Sequence, residues 1–106
     1  MTALDLGAFT DALPQAWSSR IVGEVAGAWV KVLRMDEMPV VEESHTADEI
    51  LVVVDGVLEL TLGDEPVSVP AGSLCRVPAG VPHAVRSGSR GTLLIVEAAE
   101  GSPSGP

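Results

Sequence analysis

Apolar and polar positions along the 106-residue chain change period once, near Ser19. Before it, Leu6, Phe9 and Leu13 fall at i, i+3 and i+7, the spacing of one short helical face. Asp5 is placed to cap that helix, Pro14 to end it, and Trp17 to anchor this arm on the body of the protein. After Ser19 the period shortens to two. Arg20 to Val25 and Ala28 to Met35 read as strands joined through Ala26-Gly27, with Trp29, Lys31 and Leu33 alternating against Val30, Val32 and Arg34. Asp36 to Pro39 breaks the pattern, and Val40-Val41 restarts it. Ile50 to Val54 is an unbroken apolar run, as expected of a strand covered on both faces. Asp55-Gly56 then signals a type I′ hairpin turn, because both positions of such a turn need positive φ. The return strand, Val57 to Leu62, alternates cleanly, with Leu58, Leu60 and Leu62 on one side.

Further strands follow between turn signals. Val67 to Val69, bounded by Pro66 and Pro70, suits an edge or a barrel corner. Leu74 to Val77 comes next, then a rigid loop from Pro78 to Pro82, then His83 with a brief strand through Val85-Arg86. Thr92 to Glu97 is the last strand. About eight or nine short strands with turns every few residues predict an all-β barrel or sandwich. The expected organisation is an arm over residues 1–18, a barrel over 19–99, and a flexible Gly/Ser/Pro tail over 100–106.

Composition sharpens this. Hydrophobic residues make up 46% of the chain but aromatics only 3%, so the core is built of Val, Leu, Ile and Ala. Fifteen acidic residues against six basic give a net charge of −9, which disfavours nucleic acid and anionic membrane as partners. No apolar run approaches the ~18 residues of a membrane span, and no leader-like segment opens the chain, so a cytoplasmic location is expected. The single cysteine, Cys75, lies in an apolar strand pattern and reads as a buried structural thiol.

The chemistry concentrates between Glu42 and Gly56 (EESHTADEILVVVDG) and at His83, the only other histidine besides His45. Residues two apart on a strand share a face, so Glu43 pairs with His45 and Glu42 with Ser44. Glu49 opens the next strand. Imidazole and carboxylate are ligands for first-row divalent metals, and a second histidine on a loop braced by two prolines has a fixed direction.

These residues resemble the cupin superfamily, whose two motifs are G-x5-H-x-H-x3,4-E-x6-G and G-x5-P-x-G-x2-H-x3-N. Gly72, Pro78, Gly80 and His83 match the second at every spacing, with Ser87 where the asparagine would stand. Glu49 and Gly56 match the end of the first. The lead-in SSRIVGEVAGAWVKVLRMDE is similar to that of small bacterial cupins often labelled mannose-6-phosphate isomerase-like. The front of the first motif departs. With three residues before the glutamate, the family's histidine positions fall on Glu43 and His45; with four, on Glu42 and Ser44. The first register leaves a usable ligand set.

The resemblance implies a double-stranded β-helix, the cupin jelly-roll barrel. It implies a divalent metal ion (Fe, Mn, Ni or Zn) on Glu43, His45, Glu49 and His83, and a small-molecule ligand in the barrel. Arg34 and Arg76 lie within predicted strands, and one of them is a candidate to face the cavity and hold an anion. A homodimer is expected from the exposed edges of so small a barrel, with the apolar N-terminal strands as the contact. Two functions stay open: a metal-dependent enzyme with Glu42 or Glu43 as a general base, and a binding or biosynthetic accessory protein with a degenerate metal site.

Overall fold

The computed structural model describes residues 3–37 and 42–99. A short helix, Leu6–Asp11 (α1), precedes the strands Arg20–Val25 (β1), Ala28–Met35 (β2), Glu49–Leu62 (β3), Glu65–Pro70 (β4), Leu74–Val77 (β5), His83–Val85 (β6) and Arg90–Ala98 (β7). Every pairing is antiparallel, and the order is β1-β2-β7-β3-β4, with β5 and β6 also on β3. The fold is an all-β jelly-roll barrel. The expected Val40-Val41 strand and the tail lie outside the described residues.

β3 is the spine. Its first half lies between β5 and β7, and its second half pairs with β4 and β6. The hairpin expected at Asp55-Gly56 does not form, because one continuous strand runs through both residues. A type I′ turn needs positive φ at both positions, and only Gly56 has it, at 81°. What Asp55-Gly56 makes instead is a bend, with a register shift between Val53 and Asp55. Gly56 lies directly across from Gly91, itself at φ 105°. A Cβ on either glycine would come within 2.0 Å of a carbonyl oxygen on the facing strand. The pair therefore lets two backbones touch where the barrel wall turns.

The core fills the space between the two halves. Leu33 and Met35 of β2, Leu51, Val53, Leu58 and Leu60 of β3, Val69, Val77, and Leu93 and Ile95 of β7 are its buried members. Leu58 and Leu60 are fully enclosed, as their alternation predicts. The Ile50 to Val54 run is not covered on both faces. Leu51 and Val53 are buried, but Ile50 and Val52 are half-buried and Val54 is 41% exposed. The apolar run reflects an outer face that the described residues leave partly exposed. β4 forms an end of the strand order with Pro66 and Pro70 inside it, so the missing donors fall at an edge.

The arm packs outside the barrel. Asp5 caps α1 by accepting from the Ala8 amide at 3.0 Å. The helix stops at Asp11, three residues short of Pro14. Thr10 is buried and exchanges a 3.0 Å hydrogen bond with Thr92 on β7. The Arg34 guanidinium donates to the Thr10 and Leu13 carbonyls at 3.0 and 2.7 Å. It thus ties the end of the helix to β2 and does not face the cavity. Trp17 follows with φ 63°, in the left-handed region. Its amide donates to the Arg34 carbonyl at 2.9 Å and its Nε1 to the Asp36 carbonyl at 3.1 Å, which holds the strained turn in place.

Candidate metal centre

Two backbone connections bring the chemistry together. Glu43 and His83 exchange a pair of 2.8 Å amide–carbonyl hydrogen bonds, an isolated antiparallel bridge. The Gly80 amide donates to the His45 carbonyl at 2.7 Å. The Pro78–Pro82 loop is thereby pinned to the Glu43–His45 segment along its length. Asp48 adds a brace from outside by accepting from the Ala79 amide at 2.9 Å. That bond, ahead of the hydrogen bonds from Arg76, holds the Asp48 carboxyl below its ordinary range.

The side chains of Glu43 and His45 turn inward while Glu42 and Ser44 are exposed. Glu43, His45 and His83 place ligand atoms within 4.8 Å of one another. His45 Nε2 lies 3.6 Å from Glu43 Oε1 and 4.0 Å from Glu49 Oε2. His83 Nε2 lies 3.7 Å from Glu49 Oε1. The two imidazoles sit 5.3 Å apart, centre to centre, at 42°. Glu43, His45 and His83 thus form one group, and Glu49 lies against it through the two histidines. His83 Nδ1 is 3.4 Å from the Val81 carbonyl, a contact that is a hydrogen bond when Nδ1 carries the proton. Nε2 then has its lone pair free.

Three of these residues are buried: His45 at 9% exposure, Glu49 at 3% and His83 at 8%. Both ring nitrogens of His45 and Oε2 of Glu49 have no hydrogen-bond partner. A buried polar atom without a partner is costly, so this cluster has the donor types and the unmet demand of a cation site.

Behind Glu49 lies a second layer that pattern reading missed. Glu97 stands directly opposite Glu49 on β7, buried, and its carboxylate is paired with the ammonium of buried Lys31. Burial is the largest reason that Glu49 is pushed up to about 7, followed by its hydrogen bond to Glu97 and the negative charge there; Lys31 opposes the shift. With both carboxylates ionised, Glu49 Oε2 and Glu97 Oε1 lack a donor, and a proton shared between the two groups supplies one. The signal was present in the sequence. Lys31 alternates in phase with Leu33, and Glu97 with Leu93 and Ile95, so both charges stand in inward registers.

Beside the cluster a partly open pocket of about 40 Å³ lies against the core. Glu43, Glu49 and His83 are its polar members, and the rest of the lining is aliphatic apart from Trp17. Trp29 and the two arginines considered as cavity residues do not line it. Arg76 is exposed and pairs with Asp48 on the outside. Cys75 is half-buried and packs at the margin of the core, where burial raises its thiol.

A family model described as "Cupin domain" matches residues 34–98. Among solved structures, a cupin-2 domain containing protein from Shewanella frigidimarina superposes with a TM-score of 0.81 at 24% identity, over 90% of this chain and 93% of its own. A cupin superfamily protein from Desulfitobacterium hafniense gives 0.77 at 20% identity, over 93% and 92%. KdgF from Halomonas sp. gives 0.64 at 21% identity, over 74% and 73%. At these identities the likeness carries the fold. No curated protein matches.

Proposed function

The chain belongs to the cupin domain family, and from that premise we propose that it holds a divalent metal ion on Glu43, His45, Glu49 and His83 and takes a small molecule into the pocket beside them. The observation that carries this reading is convergence: Glu43, His45 and His83 bring ligand atoms within 4.8 Å of one another, and both buried nitrogens of His45 lack a partner. Two imidazoles and two carboxylates suit Fe, Mn, Ni or Zn. A bound ion would supply Lewis acidity and a fixed point of orientation for the ligand. The chain's own residues do the rest. The bridge to Glu43 fixes the direction of His83, the aliphatic wall excludes water, and Glu49 gives up its proton as the ion enters.

A second reading is a binding barrel without metal. It is favoured by Glu43, which stands where the family pattern has its first histidine. Calorimetric titration of untagged protein with Zn(II), Mn(II) and Ni(II) separates the two. One site per chain, lost in His83→Ala and weakened as pH falls, supports the metal reading. Absence of saturable binding by any of these ions leaves the metal-free one.

We also propose that the protein is a homodimer, with the contact on the partly exposed outer face of β3, β5 and β7 in place of the N-terminal strands expected from the sequence. Ile50 and Val52 of β3 lie beside Leu94 and Val96 of β7 and Leu74 of β5. Leu74 is 61% exposed, and Val25 at the end of β1 is 68% exposed. Arg76, opposite Ile50 on the same face, is paired with Asp48, so a chain of net charge −9 meets its own copy there with little repulsion. Sedimentation equilibrium should give twice the chain mass for the wild type and a monomer for Leu74→Asp; a monomeric wild type at high micromolar concentration contradicts it.

A further inference from the structure

We propose that the pocket selects a small uncharged molecule, apolar over most of its length and bearing one hydroxyl or amide at the end that meets Glu43, Glu49 and His83, and that it excludes carboxylates, phosphates and other anions. This rests on the pocket being the ligand site of the proposed function, and it names the class of molecule taken there.

An anion drawn out of water into an apolar pocket needs a cation or several donors to receive it. The chain has six basic residues, and all six lie within the described segments. Arg34 is tied to the carbonyls of Thr10 and Leu13. Arg76 is exposed and paired with Asp48. Arg20 is exposed and donates to Ser18 Oγ and the Ser19 carbonyl. Arg86 and Arg90 are exposed and absent from the lining. Only Lys31 is a buried cation near the site, and it lies behind Glu49, with its ammonium paired to Glu97. None of the six is placed to receive an anion in the pocket.

The charge balance of the cluster points the same way. Glu43 and Glu49 together offer two negative charges, so a divalent ion brings the cluster to zero. With a histidine at position 43 the same ion would leave a net positive charge, which an anionic ligand would neutralise. Glu43 removes that attraction. Without an ion the Glu43 carboxylate repels an anion directly. In both states the pocket end offers acceptors for a neutral O–H or N–H, and the wall offers aliphatic surface.

The test uses matched probes on wild-type protein. Benzamide and cyclohexanol are titrated against benzoate and cyclohexanecarboxylate by ligand-observed NMR, with and without one equivalent of Zn(II). Zn(II) binding is measured in parallel by calorimetry. At least one neutral probe should bind saturably and at least about tenfold more tightly than the anion of its ring size, in both series. Equal or tighter binding of the anions overturns the inference, as does the absence of saturable binding by both neutral probes. If Zn(II) fails to bind, the metal reading falls and the metal-free series alone decides the ligand class. Val85→Lys, which puts an ammonium on the half-buried wall, should narrow or reverse the preference. A folded Val85→Lys protein with the preference unchanged counts against the charge argument and overturns it.

Discussion

Glu49 and Glu59 stand in the two halves of the same strand, and the fold treats them in opposite ways. Glu59 is half-buried in a closed network. Its carboxylate accepts from Ser68 Oγ at 3.1 Å, its amide donates to Ser89 Oγ at 2.9 Å, and its carbonyl accepts from the Arg86 amide at 2.8 Å. Glu49 is more deeply buried, lies beside two histidines, and faces another carboxylate, Glu97. The outer faces differ as well. The second half turns Glu59 and Thr61 outward, whereas the first half turns out Ile50 and Val52. One half of β3 is satisfied within the chain. The other has the unpartnered nitrogens of His45 beside it inside and partly exposed apolar side chains outside.

The largest expected effect lies at the hinge between the halves. In Gly56→Ala the new Cβ would fall 2.0 Å from the Arg90 carbonyl oxygen, in a backbone held at φ 81°. Urea unfolding should show a loss of about 3 kcal/mol or more. Gly63→Ala, with nothing within 4 Å of its added Cβ at φ 62°, should cost only about 1–2 kcal/mol. Similar costs at the two positions would break the claim that β3 is hinged on the Gly56–Gly91 contact.

The next effect separates the two glutamates by pH. Glu49 is raised from 4.5 to about 7, so the folded protein keeps a proton there that the unfolded chain has already released. The stabilisation is fully present below about 4.5 and is lost as pH rises through about 7. Metal-free protein should lose roughly 2–3 kcal/mol across that window. Glu49→Gln should flatten the slope, and Glu59→Gln should leave it. A slope that persists in Glu49→Gln would assign it to another group.

The smallest effect concerns the brace on the histidine loop. Asp48 sits outside the cluster, yet it fixes the Ala79 amide in the loop that presents His83. Asp48→Asn should weaken metal binding by less than about tenfold without changing stoichiometry. Acid should loosen the same brace only below 3.8, because Asp48 is held below that value. Complete loss of binding in Asp48→Asn would mean that it acts as more than a positioning residue.

Much of this was legible in the sequence because it depends on local rules. Asp5 capping, the edge placement of β4 between two prolines, the alternation of Leu58 and Leu60, and the direction of His83 all follow from residue geometry within a few positions. Asp55-Gly56 misled because the same dipeptide that closes a hairpin also suits a bend, and only its partner Gly91, distant in sequence, decides between them. The Ile50 to Val54 run misled because an apolar residue does not say what will cover it. Strand position makes Arg34 one of two candidates for the cavity, whereas the free carbonyls at the end of α1 claim it. The Lys31–Glu97 pair depends on the alignment of β2 with β7, a long-range register that periodicity alone does not supply.

The most direct test of the central claim is an anomalous difference map from crystals grown with Zn(II) or Mn(II) at neutral pH. The expected result is one peak inside the barrel, about 2.0–2.3 Å from a nitrogen of His45 and of His83 and from a carboxylate oxygen of Glu49 and of Glu43. A barrel interior without a peak, with Glu49 hydrogen-bonded to His45 or His83 in its place, would contradict it.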